Sequence, residues 1–176
     1  MPLILPTANA TPADAGVAWQ AFLYRRETLV RSMHLSVCNG CDGCGDRCTG
    51  GFLVTREEND AVQAFRQTRP ASEIARIDAQ NKIVPWPGAE DSGATVTLCR
   101  YRDTERGNCS VYPARPTVCR LFGQTAWLPC PIEAVPAYPG DAPAVWNAYR
   151  RFDRRTWEAW GNPLEATLAA QSVPVL

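Results

Sequence analysis

Four cysteines fall within eleven residues, as Cys38, Cys41, Cys44 and Cys48, and four more follow at nearly even intervals as Cys99, Cys109, Cys119 and Cys130. Thiolate sulfur is a soft ligand that suits zinc, copper(I) and iron-sulfur clusters, and four thiolates complete the first shell of a tetrahedral zinc or a [4Fe-4S] cube. The chain therefore reads first as a metal protein with two sets of four candidate ligands. An even number of cysteines also admits a disulfide framework, the competing reading.

The first group has the spacing C-x2-C-x2-C-x3-C. In bacterial ferredoxins that run clasps one cluster with three cysteines and reaches a second cluster with the fourth. Two features depart from it: Thr49 stands where ferredoxins carry proline, and the run has no second copy. Four thiolates around zinc(II) or an oxidised [4Fe-4S] core carry a net charge of about minus two, which the surroundings must stabilise. Between Cys99 and Cys130 the chain holds five arginines, Arg100, Arg102, Arg106, Arg115 and Arg120, against two acids, Asp103 and Glu105. Arg47, Arg100 and Arg120 each adjoin a cysteine, which makes them candidate donors around the sulfurs, with a water-facing role as the alternative for each.

His34 is the only histidine, four residues before Cys38. A fifth ligand or proton carrier is one reading, and a helix-end or surface role is the favoured one. A single histidine excludes paired-imidazole catalytic sites, and any cysteine–histidine nucleophile would have to use it. Asp42, Asp46, Glu57 and Glu58 suit turn and capping roles better than ligation.

Equal numbers of acidic and basic side chains leave no net charge, so nothing global favours nucleic acid or an anionic membrane. Of the basic residues seventeen are arginine and one, Lys82, is lysine. Residues 1–15 lack a basic start and are interrupted by Pro2 and Pro6, unlike a signal peptide, and no apolar run approaches the roughly 18 residues of a membrane span. The expectation is a cytoplasmic protein, in whose reducing compartment a cysteine array is metal-binding or redox-active rather than disulfide-bonded.

The elements that must position these residues are legible in outline. Pro12 and Asp14 open a helix whose apolar face, Ala18, Phe22, Leu29 and Met33, runs to about Ser36 and delivers the chain to Cys38. Thr55 and Glu58 form a capping-box pattern before a helix that Pro70 stops, and a second short helix is expected around Ser72 to Ala79. Residues 81–93, rich in proline and glycine, read as a loop with an extended piece at Lys82 to Val84. Residues 95–101 alternate like a strand that Cys109 to Tyr112 could pair with, giving a hairpin that carries Cys99 and Cys109. Pro116 opens and Gly123 closes one or two helical turns around Cys119. Asp141 is expected to cap a long C-terminal helix with Val145, Tyr149, Phe152 and Trp160 on one stripe, and a last helix restarts at Pro163 and runs through Leu168. The fold class that results is α+β and mostly helical. It is a small single domain, 1–176, in which helical flanks 12–36 and 141–171 brace a loop-rich cysteine core, 38–130, with a short β-hairpin.

From Cys38 to Cys130 the chain resembles the YkgJ-type cysteine-cluster family. The resemblance rests on the C-x2-C-x2-C start, Cys99 followed by Arg100 and Tyr101, Cys109 followed by Ser110, Val111 and Tyr112, then Arg115, Pro116, Cys119, Arg120 and a terminal Cys130. Members of that family are described as zinc- or iron-chelating and are often called iron-sulfur-cluster proteins. The resemblance implies that all eight cysteines are ligands, with Arg115, Pro116 and Arg120 as scaffold. The family commonly closes its first group with two adjacent cysteines, whereas here three residues separate Cys44 from Cys48. Flagellin lysine methylases contain a similar cysteine domain but are much larger, and this chain has no glycine-rich nucleotide loop.

Three function classes follow. The first is an iron-sulfur protein, of [4Fe-4S] type, that transfers electrons or delivers iron or a cluster to a protein partner. The second is a zinc-stapled interaction module, and the third an accessory protein of a methylase-like modifying system.

Overall fold

The computed structural model describes residues 12–33, 48–86, 89–133, 135–137 and 140–161. In chain order its helices are α1 (Pro12–Ser32), α2 (Arg56–Gln67), α3 (Ala71–Asp78), α4 (Thr117–Leu121), α5 (Ala142–Tyr149) and α6 (Trp157–Gly161). Its strands are β1 (Ile83–Pro85), β2 (Thr95–Thr97), β3 (Arg102–Asp103), β4 (Asn108–Cys109), β5 (Gln124–Thr125) and β6 (Leu128–Pro129), paired as three antiparallel hairpins. The mostly helical α+β class expected from the sequence is the one observed. Among the described residues no helix is long and apolar enough to cross a membrane.

The chain gathers into two units. The first joins Met1–Cys44 to Thr117–Asp153, and its described part packs α1 against α4 and α5. The apolar face of α1 supplies Trp19, Phe22, Leu29 and Met33 to a core completed by Leu121, Val145 and Tyr149. The rings interlock: Trp19 stacks on Phe22 at 5.2 Å, Phe22 on Tyr149 at 5.8 Å, and Phe152 meets Trp19 edge-on at 5.2 Å. Such pairs add roughly 0.5–1.5 kcal/mol each beyond the area they bury.

The second unit joins Gly45–Pro116 to Arg154–Leu176. Its described core holds Val54, Val62, Cys99, Tyr101, Val111 and Trp157, with Cys48 and Cys109 packed against it. Thr55 builds the full capping box on α2. Its hydroxyl accepts the Glu58 N–H at 3.3 Å, and the Glu58 carboxylate accepts the Thr55 N–H at 3.2 Å. On β1 the Asn81 side chain both donates to the Ile83 carbonyl, at 2.9 Å, and accepts its N–H, at 3.0 Å. With Pro85 beyond, that closes an edge which would otherwise invite another strand.

Three expectations are corrected. The long C-terminal helix ends at Tyr149, and α6 is a separate helix, because the Arg155 backbone leaves the helical path to pair with Val54 (N–H to carbonyl 2.9 and 2.8 Å in the two directions). The stripe is accordingly divided, Val145 and Tyr149 entering the first core and Trp160 packing against the second. Asp141 precedes α5 without a side-chain cap and spends its carboxylate on the Arg25 guanidinium at 2.6 Å. The hairpin of Cys109 is also shorter than expected: it pairs Arg102 with Cys109 and Asp103 with Asn108, turning through Gly107 at φ 71°, while residues 95–97 pair instead with β1. Helix α1 is described as Pro12–Ser32; residues 34–36, to which it was expected to run, and the expected helix from Pro163 lie outside the described residues.

Replacing Thr55 by alanine removes one half of the capping box at a site only 1% exposed. Urea denaturation should show a loss of about 1 kcal/mol in Thr55→Ala and retention of most of the stability in Thr55→Ser. Equal losses in the two variants would assign the effect to packing rather than to the cap.

Candidate metal centre

The segment after the first cysteine group runs alongside β2. Thr49 bridges Leu98 in antiparallel sense, the Gly50 N–H donates to the Thr97 carbonyl at 2.7 Å, and the Cys99 N–H donates to the Cys48 carbonyl at 2.8 Å. This register puts Cys48 directly opposite Cys99. On the other edge the Leu98 N–H donates to the Lys82 carbonyl at 2.7 Å, so the strand leading into Cys99 has a partner on each side. Beside the pair, Gly51 has φ 84°, a left-handed conformation that favours glycine.

The environment favours the Cys99 thiolate. A hydrogen bond from Cys48 draws its thiol down to about 7; burial opposes this, while the Tyr101 N–H and the charges of Lys82 and Arg100 assist it. Cys109 goes the other way. Burial raises its thiol and outweighs the lowering by the Val111 N–H and by the charges of Arg115 and Arg102; the nearby Cys99 raises it further.

Asp103 fastens this arrangement. Almost fully buried, it receives both arms of Arg76 from α3, the Gln80 side chain at 2.9 Å, and the N–H groups of Glu105 and Arg106 at 3.1 and 3.2 Å. One carboxylate thus ties the end of α3 to the turn between β3 and β4, which carries Cys109. Gln80 continues the network: its carbonyl oxygen accepts the Thr104 N–H at 2.8 Å and the Lys82 ammonium at 3.1 Å, and Lys82 also donates to the Arg102 carbonyl. The only lysine of the chain is thereby held close enough to Cys99 for its charge to act on the thiol.

Of the eight candidate ligands, the structure brings Cys48, Cys99 and Cys109 to one apolar cluster. Cys119 lies in α4 and Cys130 just after β6, both half-buried in the first unit. All five are present as thiols. Cys38, Cys41, Cys44, His34 and Arg47 lie outside the described residues. Among the described residues no three His, Cys, Asp or Glu side chains gather closely enough to hold a metal ion by themselves. Arg100 stands over the Tyr101 ring at 5.5 Å and 3.8 Å from Glu158, and Arg115 stacks on Tyr112 at 3.6 Å. Each acts on a sulfur through its charge. Arg120 follows Cys119 in α4. Sequence reasoning missed Lys82 and Asp103 as site-forming residues. The one available signal was that a lone lysine preceded the β1 segment.

The site is thus a set of cysteine sulfurs placed among positively charged side chains. Residues 40–143, more than half of the chain, match the CxxCxxCC family, described as "putative zinc- or iron-chelating domain", and the chain belongs to it. The match takes in seven of the eight cysteines and begins after Cys38. No curated protein and no solved structure matches the chain.

Arg76 and its partners hold the Asp103 carboxyl well below the usual carboxylate range. A depressed folded value contributes stability that is present above the unfolded value, about 4, and is lost as pH falls through the folded one. The stability difference between the wild type and Asp103→Asn should therefore be full at neutral pH and shrink on acidification below about pH 4. Chemical denaturation across that range checks it, and a pH-independent difference would contradict it.

Proposed function

We propose that the chain holds an iron-sulfur cluster through its cysteine thiolates and serves electron transfer, or the handling of iron or clusters, for a protein partner. The observation that carries this reading is the opposition of Cys48 and Cys99 across a hydrogen-bonded ladder, with the Cys99 thiol drawn toward its thiolate form. The donor chemistry fits: soft sulfur in a half-buried cluster, flanked by Lys82, Arg100, Arg102 and Arg115, suits an anionic thiolate-metal assembly. Cys48, Cys99 and Cys109 are ligands in this reading, completed by Cys38, Cys41 and Cys44; Cys119 and Cys130 are proposed as ligands as well. The ferredoxin-like spacing of the first group favours iron-sulfur over bare zinc.

When bound, the cluster supplies one-electron chemistry. The chain's own residues bind and tune. Cys48 and Tyr101 share hydrogen bonds with the Cys99 sulfur, Asp103 fixes the turn before Cys109, and the cations offset the thiolate charge. Zinc staples are the second reading, favoured by the family's description, which names zinc and iron together. The two units would then work as one domain in a reducing, cytoplasmic setting, without nucleic acid or membrane. Arg47 and Arg120 are proposed as further cations near the sulfurs. An accessory role in protein methylation has no support beyond the likeness of cysteine domains.

Full-length protein purified without oxygen should carry iron and acid-labile sulfide in stoichiometric amounts, with broad visible absorption that bleaches on reduction. A colourless protein with stoichiometric zinc supports the staple, and neither metal at stoichiometric level contradicts both readings. Lys82→Met should keep the fold and weaken metal retention against a chelator by about tenfold, the usual scale for a residue that supports a ligand.

A further inference from the structure

Cys48 and Cys99 are more than two ligands that happen to be near one another. They are opposite members of an antiparallel pair joined by a 2.8 Å backbone hydrogen bond, and their thiols are themselves hydrogen-bonded. Residues so paired have Cα atoms about 5.5 Å apart, inside the window of about 4.4–6.8 Å that a disulfide spans. The ladder holds that spacing from both edges, through Gly50 on one side of β2 and Lys82 on the other. Access is unequal: Cys48 is half-buried, whereas Cys99 is only 9% exposed. The positions of the other cysteine in the cluster differ in kind, since Cys109 is opposite Arg102.

We propose that Cys48 and Cys99 form a reversible cross-strand disulfide, a redox switch that withdraws two sulfurs from the metal site. The effect on metal rests on the function proposed above; the disulfide itself does not. The oxidant is a small-molecule disulfide. The accessible Cys48 sulfur, having lost its proton to solvent, attacks one sulfur of that disulfide, forming a mixed disulfide and expelling one small thiolate. The Cys99 sulfur, also deprotonated, then attacks the Cys48 sulfur; the S–S bond closes across the ladder and the second small thiolate leaves. Two protein thiols are oxidised and one small disulfide is reduced to two thiols, so electrons and atoms balance. A thiol reductant reverses both steps.

The test uses the full chain, stripped of metal under reducing conditions and then given an equimolar amount of oxidised glutathione. The free-thiol count should fall by two from eight. Non-reducing peptide mapping should show Cys48 linked to Cys99. Cys109→Ser should still form the link, and Cys48→Ser should not. Mapping the wild type alone decides the matter if a variant fails to fold. A map dominated by glutathione adducts, by Cys99–Cys109 or by any other pair overturns the proposal. Metal-loaded chain treated in the same way should release its metal at the rate at which the link appears. Metal retained while the 48–99 link accumulates overturns the switch and leaves the thiols as bystanders. The link forming in a chain that binds neither iron nor zinc removes the metal reading and the release step with it, while the disulfide stands.

Discussion

The chemistry proposed for this protein depends on a backbone hydrogen bond from the Cys99 amide to the Cys48 carbonyl. With the Gly50 to Thr97 bond beside it, residues 48–50 acquire a fixed register against β2, and two sulfurs distant in sequence come to face each other. Antiparallel pairing is unforgiving in this respect, because a slip of one residue would turn every side chain to the opposite face. The Gly50 N–H bond to the Thr97 carbonyl holds that register, the left-handed Gly51 turns the chain beyond it, and the Lys82 carbonyl pairs the far edge of the strand. Proximity of the sulfurs, the lowered Cys99 thiol and the capacity to close a disulfide all follow from it.

The rest of the second unit serves this pairing. Asp103 collects hydrogen bonds from α3, from Gln80 and from its own turn, so the hairpin bearing Cys109 and the lysine beside Cys99 are fixed by one buried carboxylate. Hydrogen bonds to a charged group are stronger than neutral ones, and leaving either partner unsatisfied is costly. The cluster is therefore built around an ion pair on one side and an apolar core of Val54, Val62, Tyr101 and Trp157 on the other. Tyr101 spans the two. Its ring packs on Trp157 at 4.9 Å, its hydroxyl accepts from Gln63 at 2.9 Å, and its N–H reaches the Cys99 sulfur.

Local signals were readable where the causes are local. The capping box of Thr55 and Glu58, the short helix after Pro70, the extended piece near Lys82 and the turns between Pro116 and Gly123 all depend on residues within a few positions of one another, and all formed as expected. Long-range hydrogen bonding left no such trace. The periodicity that joined Val145 to Trp160 in one helix could not anticipate that Val54 would claim the backbone of Arg155, nor that the Trp160 indole would donate to the same Val54 carbonyl at 2.8 Å. Likewise Asp103 looked like a minor offset to a run of arginines, because a carboxylate acquires its partners through tertiary structure. Metal binding was legible from the sequence, and the family match agrees with it; how Cys48 meets Cys99 was not, since pairing between distant strands is written in neither spacing nor composition.

The central claim is that sulfur, and only sulfur, surrounds the metal. X-ray absorption at the iron or zinc edge of the purified full-length protein tests it most directly. The account predicts a first shell of sulfur at about 2.3 Å, with a short iron–iron vector in addition when a cluster is bound. A shell of nitrogen or oxygen scatterers at about 2.0–2.2 Å would contradict it.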